Sequence, residues 1–297
     1  LEKQLESAAQ AETKETTLLR NNVTEEEVAE AKKYIMETLL GQMSYKAPTD
    51  KLNAAVAVFS NPLKLVIKKV RPGSIYSAND VKQGKSTTAR IAMLIPGGKV
   101  VRVTAEANAS EMEKKFVSAM LKNPDHLYLD NIGIRFDSDW LASAMTEGIW
   151  QGRQLGQSKD IEGKFHCTVY ITSNNATLSR DLARRFLRVE LERKDGEDVT
   201  LWVDPEARLV DDLEELKKAR RYMAIIIQNW VAQGGPLYSY RLDSFHRFAQ
   251  VIGSVFYCMG EPSFLQDFET RRLEMDPLEQ LLGLTPGALK VELASNG

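Results

Sequence analysis

Apolar and polar positions change their spacing along the chain, and these changes divide it into three parts. Residues 1–45 are first polar and charged and then follow a helical pattern, which begins where Thr24 precedes Glu27 by three residues, as in a capping box. Residues 46–195 alternate short apolar runs with helical patterns, and such alternation is typical of a parallel sheet covered by helices. Residues 196–297 return to helical spacing. The spacing predicts an α/β core between an N-terminal helical segment and a C-terminal helical subdomain.

The predicted elements of the central part are short strands separated by longer helices. Apolar runs predict strands at 75–77, 100–104, 126–130, 167–172 and 187–191. Helical spacing predicts helices at 50–60, 87–94, 109–121 and 137–150, with two more beyond the core at 211–234 and 242–259. Two short polar-edged strands are expected to flank residues 157–163.

The composition is that of an ordinary globular protein. Of the 297 residues, 43% are hydrophobic and 27% are charged, and the net charge of −2 gives no overall basic signature of nucleic-acid binding, although it allows a local basic patch. No apolar run approaches the roughly 20 residues of a membrane span, and no signal peptide is visible, so we expect a cytoplasmic protein without a membrane partner. Cys167 and Cys258 are expected to be buried thiols in a reducing compartment. The three histidines lack metal-ligand spacing, which argues against a zinc site.

The most informative stretch is 169–191, which reads VYITSNNATLSRDLARRFLRVEL. An apolar strand ends in polar residues that include Asn174 and Asn175, and the adjacent Arg184 and Arg185 precede a second apolar strand. An amide at a strand tip can position an attacking water, and arginines can offset the charge that spreads over a transferred phosphoryl group. The alternative for the arginine doublet is a solvated surface pair.

A second motif has the form of half a phosphate-binding loop. Gly84, Lys85, Ser86 and Thr87 stand between a predicted strand and a predicted helix, where backbone amides and the helix dipole favour an anion. The first glycine of such a loop is missing, because Asn79 occupies its position. Asparagine tolerates a positive φ better than most residues, so the turn is still allowed. The alternative is an ordinary helix start.

A third motif follows at the spacing that such a nucleotide site requires. Asp130 ends an apolar run 45 residues after Lys85, where a carboxylate can hold Mg²⁺. The next residue is Asn131, where many NTPases carry the glutamate that takes a proton from the attacking water. An asparagine can orient a water but cannot accept its proton. The alternative is a strand that ends in a polar turn.

Taken in order, these motifs resemble the AAA+ helicase domain of primase–helicase replication proteins of phages and integrated mobile elements. The resemblance covers roughly residues 40–270 and is carried by Gly84-Lys85-Ser86, Leu129-Asp130-Asn131, the run WQGRQLG at 150–156, Ser173-Asn174-Asn175 and 181–185. It implies an AAA+ P-loop NTPase core that uses ATP and Mg²⁺, a ring oligomer, expected to be a hexamer, and movement along single-stranded or forked DNA. A primase region would lie on a missing part or on a partner chain.

The resemblance also implies roles for the motif residues. Lys85 would contact phosphate, Ser86 and Asp130 would hold Mg²⁺, and Asn174 or Asn175 would be the first sensor. In that family an asparagine after the metal-binding aspartate is normal, whereas Asn79 departs from the pattern.

Three arginines are candidates for action across a subunit interface. Either Arg184 or Arg185 would be the arginine finger. Arg153, within WQGRQLG, would be a second cation acting in trans or a structural ion-pair partner, and the sequence favours neither.

Two basic stretches are candidates for DNA contact. Residues 157–164 fit a β-hairpin in which Lys159 and then Lys164 would contact phosphate, although a solvated turn of mixed charge is the alternative. The run LKLVIKKVR at 63–71 is also basic, and an edge strand protected by lysines explains it at least as well.

The sequence leaves three functions to weigh. The first is an ATP-dependent DNA helicase or translocase. The second is an AAA+ assembly or loader module that binds nucleotide with little or no hydrolysis, which Asn79 and Asn131 favour. The third is a scaffold that kept only the fold, and the number of motif residues at suitable spacing argues against it.

Overall fold

The protein was analysed as a computed structural model, which describes residues 23–78, 83–106, 108–133, 135–153, 160–174, 177–193, 204–261 and 264–265. Before the sheet begins, the elements are α1 (Glu25–Lys33), a π-helical turn (Tyr34–Leu39), a 3₁₀ turn (Leu40–Gln42), α2 (Pro48–Ser60) and α3 (Lys64–Ile67). The capping box of Thr24 and Glu27 that starts α1 is formed as the sequence predicts.

The central elements alternate between strands and helices. In chain order they are β1 (Gly73–Ala78), α4 (Lys85–Leu94), β2 (Val100–Val103), α5 (Ala109–Met120), β3 (His126–Ile132), β4 (Arg135–Phe136), α6 (Asp139–Glu147), β5 (Ile149–Arg153), β6 (Asp160–Lys164), β7 (Thr168–Ser173), β8 (Thr177–Leu178), α7 (Arg180–Ala183) and β9 (Phe186–Leu191). The helical part that follows contains α8 (Pro205–Asp211), α9 (Leu213–Ala232), a 3₁₀ turn (Asp243–Phe245) and α10 (His246–Cys258).

Five parallel strands form the main sheet, in the order β2-β3-β7-β1-β9. The first strand therefore lies between the last two, and the carboxyl ends of β1, β3 and β7 meet at one edge of the sheet. Helices flank the sheet, which confirms the predicted α/β fold class, and the arrangement is consistent with a P-loop NTPase-like core. β5 and β6 form a separate antiparallel hairpin.

The two faces of the sheet are packed by two clusters of buried side chains. Neighbouring residues of a strand point to opposite faces, so Tyr128 joins one cluster while Leu127 and Leu129 join the other. The Tyr128 cluster also contains residues of α1, α2, α9 and α10, whereas the Leu127 cluster contains residues of α5 and α6. The helices before and after the core thus share one face of the sheet. The predicted domain boundaries at residues 45 and 195 stay predictions.

Two predicted elements are wrong. The edge strand offered as the alternative to DNA contact in the basic run 63–71 is wrong. Residues 64–67 form the helix α3, and Leu63 and Ile67, four residues apart, are both buried on one helical face. The helix expected at 137–150 ends at Glu147, because Gly148 adopts a left-handed conformation with φ of 73° and lets the chain turn into β5.

The two cysteines differ in burial, and the described helices are not of the membrane-spanning kind. Cys167 is buried, as expected, whereas Cys258 is only partly buried. Burial raises the pKa of the Cys167 thiol to about 12, so this thiol stays protonated at neutral pH. Among the described residues, no helix has the length and apolar character that crossing a bilayer requires.

Candidate nucleotide-binding site

The predicted phosphate loop leads into the N-terminus of α4. Gly84 caps this helix in a left-handed conformation, with φ of 86°, a backbone conformation that glycine adopts without steric cost. The Gly84 carbonyl accepts a hydrogen bond from the Thr88 hydroxyl at 2.8 Å, which fixes the first turn. The free amides and the dipole of this helix end favour an anion. Asn79 lies outside the described residues.

The phosphate-loop lysine meets the amide at the tip of β7. Lys85 Nζ donates a hydrogen bond to Asn174 Oδ1, although the two residues are 89 positions apart. The contact follows from the topology, because β1 and β7 are neighbours in the sheet and their carboxyl ends lie side by side, with Ser77 opposite Ser173. Asn175 lies outside the described residues.

Three donors from three strands hold the Asp130 carboxylate. Oδ1 accepts from the Tyr128 hydroxyl at 2.7 Å and from the Thr172 hydroxyl at 2.6 Å. Oδ2 accepts from Arg102 Nη2 at 2.5 Å. Burial alone would raise the pKa of Asp130, but the hydrogen bonds from Thr172 and Tyr128, with nearby arginine charge, lower it below the ordinary value of a carboxyl. Asp130 is therefore an anion at neutral pH.

Ser86 and Asp130 both lie beside one tyrosine. The Ser86 side chain lies close to the Tyr128 hydroxyl, which donates a hydrogen bond to Asp130. The helix start and the tip of β3 thereby share one polar cluster. Mg²⁺ at a nucleotide site is commonly bound by one or two protein oxygens, with phosphate and water completing its shell, and a carboxylate beside a hydroxyl fits that donor set. Among the described residues, no group of three or more His, Cys, Asp or Glu side chains forms a protein-only metal cage.

Asn131 has a conformational role that the sequence did not reveal. Its φ is 53°, its side chain is exposed, and its backbone N–H donates to the Thr172 hydroxyl at 2.9 Å. The ladder between β3 and β7 shifts register between Leu129 and Ile132, so the left-handed residue makes a bulge at the strand tip. Asparagine is one of the few residues other than glycine that adopt this conformation readily.

The two arginines of the doublet lie at the other edge of the sheet, just before β9. Arg185 is 8% exposed, and its guanidinium donates to the Thr146 hydroxyl at 2.8 Å and pairs with Asp181. Arg184 is 48% exposed and pairs with the same carboxylate. The doublet therefore contains one arginine that is built into the fold and one that solvent reaches.

The hairpin of β5 and β6 is packed firmly along part of its length. Gly152 sits so close to α5 that a Cβ there would lie 2.2 Å from a methyl of Val117. The Trp140 indole donates to the Gln151 carbonyl at 2.6 Å and stacks on Phe116 with ring centroids 5.0 Å apart. The hairpin is therefore anchored on α5 and α6.

The predicted DNA-contacting lysines and Arg153 separate along this hairpin. Arg153 stands at the last described pair, where its Nε is 3.6 Å from the Asp160 carboxylate and both side chains are almost fully exposed. Lys164 lies at the base of the hairpin, opposite Ile149. Lys159 lies outside the described residues.

The structure adds residues that sequence reasoning missed. Tyr128 lies two positions before Asp130. Because side chains alternate between the faces of a strand, the sequence alone could have predicted that these two lie on one face. Arg102 could not be predicted in this way, since its approach to Asp130 depends on β2 pairing with β3, where Arg102 lies opposite Tyr128. Glu206 of α8 pairs with Arg90 at 2.7 Å and lies close to the Thr87 side chain, so the C-terminal helices touch α4.

Comparisons with known proteins identify no family. No protein-family model and no curated protein matches the chain significantly. Two solved structures of the NrS-1 C-terminal region, both apo A forms, resemble it at 15% identity. One match covers 64% of this chain and 43% of the other with a TM-score of 0.39, and the second covers 82% and 52% with a TM-score of 0.44. The chain thus spans about half the length of these neighbours.

Proposed function

We propose that the chain is an AAA+ ATPase motor that uses ATP and Mg²⁺ to move along single-stranded or forked DNA during replication of a phage or mobile element. The observation that carries this proposal is the polar cluster at one sheet edge. There Lys85 contacts Asn174, and Ser86 lies close to the Tyr128 hydroxyl that donates to Asp130. A cation, an amide, a hydroxyl and an ionised carboxylate beside a helix N-terminus are the groups that phosphoryl transfer requires.

Each group of the cluster has a task in this proposal. Lys85 binds the terminal phosphates, and the amides at the start of α4 bind the phosphate oxygens. Ser86 and Asp130 hold Mg²⁺, which when bound neutralises charge on the phosphates. Asn174, which contacts Lys85 at the tip of β7, orients the attacking water.

The position of Arg184 supports action in trans. The start of β9 and the tips of β1, β3 and β7 are at opposite edges of a parallel sheet, so Arg184 is far from the cluster of its own chain. A head-to-tail ring, which we expect to be a hexamer, would bring it to the nucleotide of the next subunit. Arg185 instead holds the segment in place through Thr146 and Asp181.

The first test of the proposal is nucleotide binding and turnover. Wild-type protein at ring-forming concentration is expected to hydrolyse ATP, and faster when single-stranded DNA is added. Lys85→Ala is expected to weaken ATP binding by at least about tenfold, since it removes a charge-assisted contact to phosphate. Lys33→Ala, which removes an exposed lysine of α1, is the matched control. Unchanged ATP affinity in Lys85→Ala would falsify the phosphate-loop assignment.

A second candidate function is an assembly or loader module that binds nucleotide and hydrolyses it slowly. It is favoured by the ion pair of Arg102 with Asp130, which occupies one carboxylate oxygen, and by the exposed amide at Asn131 where a proton acceptor would help. Arg102→Ala separates the two functions. A motor restrained by this pair would turn over faster in the variant, whereas an assembly module would bind nucleotide and stay inactive.

A further inference from the structure

A basic cavity of about 810 Å³ lies at the sheet edge opposite the nucleotide cluster, between α3, the end of α6 and the base of the hairpin. Its lining residues directly precede β1 and β7. The cations among them are Lys64, Lys68, Lys69, Arg71 and Lys164. Among the described residues that line the cavity, Glu147 is the one carboxylate. This charge excess suits an anionic ligand.

Arg71 is the buried cation of the cavity. Its side chain is 8% exposed, one Nη donates to the His166 carbonyl, and Nε has no hydrogen-bond partner in the described part of the chain. No described carboxylate lies within ion-pair distance of the guanidinium. The Asp125 charge favours the charged form of Arg71 without forming an ion pair with it. A buried charge with no direct ion-pair partner is costly, so an anion bound here would stabilise the guanidinium further.

The rim of the cavity presents three more ammonium groups. Lys68, Lys69 and Lys164 are exposed and have no carboxylate partner among the residues described, whereas Lys64 pairs with Asp125 at 2.6 Å. Lys68 is held with φ of 52°, an unfavourable backbone conformation for lysine that directs the chain out of α3. Phosphate groups at successive positions along a strand would match such a rim.

The apolar part of the cavity narrows the class of ligand. Leu65 is 75% exposed and Ile149 is 45% exposed, and both stand beside the lysines, above a floor that includes Met145 and Phe165. A ligand must therefore offer anionic groups and apolar faces together. Single-stranded DNA does so, whereas inorganic phosphate has no apolar face and duplex DNA keeps its base faces stacked inside.

We propose that this cavity binds single-stranded DNA, with phosphates on the lysine rim and Arg71 and with a base or sugar against Leu65 and Ile149. The proposal rests on the proposed function and deepens it, because it gives DNA a second contact at the hairpin base. The basic run at 63–71 and Lys164 thereby act as one surface, although they are distant in sequence.

The test measures binding of a fluorescent oligodeoxythymidine by anisotropy as a function of salt. Lys68→Ala/Lys69→Ala is expected to reduce the slope of log affinity against log salt by about 1.4, since each phosphate contact to a single strand contributes about 0.7. Between about 50 and 200 mM salt, the factor by which DNA affinity falls is then about sevenfold smaller in this variant than in the wild-type protein. Lys33→Ala/Lys217→Ala removes two exposed lysines from α1 and α9 and is expected to leave the slope unchanged.

A second variant tests the apolar contact separately. Leu65→Ser is expected to weaken binding without changing the salt slope, because it removes no charge. Val231→Ser, which changes a side chain 55% exposed at the end of α9, is the control. An unaltered slope in the lysine pair, or unaltered affinity in Leu65→Ser, overturns the proposal. Displacement of the oligonucleotide by polyglutamate as readily as by unlabelled DNA also overturns it, because the cavity would then recognise charge alone.

The same samples separate this proposal from the proposed function. ATP binding by the wild-type protein without DNA reports on the nucleotide site alone. Suppose that ATP binding is normal and that Lys68→Ala/Lys69→Ala leaves the salt dependence of DNA binding unchanged. The cavity is then not a DNA site, whereas the proposed nucleotide site stands.

Discussion

The Asp130 carboxylate shows how single residues set the chemistry of the site. Its three donors come from β2, β3 and β7, and two of them, Tyr128 and Thr172, are neutral hydroxyls. Neutral donors stabilise the ionised form without removing its charge, so the carboxylate stays available to a cation. Arg102 is the charged donor of the three, and it would compete with a metal for Oδ2.

The lowered pKa of Asp130 predicts a pH dependence of stability. Because the folded pKa lies below the unfolded value of about 3.9, the contribution is complete above that value and is lost as the pH falls through the folded pKa. We expect the difference in free energy of unfolding between wild type and Asp130→Asn to be constant near neutral pH and to shrink below about pH 4. Urea unfolding across this range measures it. Thr172→Val should reduce the effect, and a difference independent of pH would contradict the assignment.

The left-handed backbone at Asn131 predicts a stability effect that is separate from catalysis. Asn131→Gly should keep the free energy of unfolding within about 0.5 kcal/mol, whereas Asn131→Ala should cost about 1 kcal/mol, because alanine adopts this conformation unfavourably. Chemical denaturation of both variants, together with ATP turnover, provides the measurement. If turnover falls equally in the two variants while stability differs, the amide has a chemical role as well.

At the scale of elements, the hairpin of β5 and β6 is a rigid unit anchored by close packing. Gly152 meets Val117 of α5, and Trp140 of α6 holds the neighbouring backbone. The described end, at Arg153 and Asp160, is in contrast loosely paired.

The packing of Gly152 can be tested by a pair of substitutions. Gly152→Ala should destabilise the protein by about 1–3 kcal/mol, since the new methyl overlaps Val117. Val117→Ala in the same chain should recover part of that loss, and the double-mutant cycle measures the coupling. Additive effects of the two changes would show that the contact is not formed.

The elements also show what the sequence could predict. Strands and helices of the core were predictable because their apolar spacing is local, and the phosphate-loop and strand-tip motifs were predictable because each lies within a few residues. The partnership of Arg102 with Asp130 was not, since it depends on strand order. The edge-strand alternative for the basic run at 63–71 failed because a short pattern of Leu63 and Ile67 between lysines fits a strand or a helix, and tertiary burial decides between them.

At the scale of the whole molecule, the two ends of the parallel strands carry different functional groups. One edge carries Lys85, Asp130 and Asn174, and the other carries Arg184 and the basic cavity. In the proposed function the nucleotide binds at the first edge and Arg184 lies at the second, so the two cannot complete each other within one chain. The central claim is therefore that neighbouring copies share each active site.

The measurement that tests this claim most directly is ATP turnover in mixtures of two inactive variants. Lys85→Ala lacks the phosphate contact and Arg184→Ala lacks the finger, so each alone should be inactive. In an equal mixture, a chain with intact Lys85 meets a neighbour with intact Arg184 at about one interface in four, and about a quarter of wild-type turnover should return. A mixture no more active than the sum of its two parts would contradict the account.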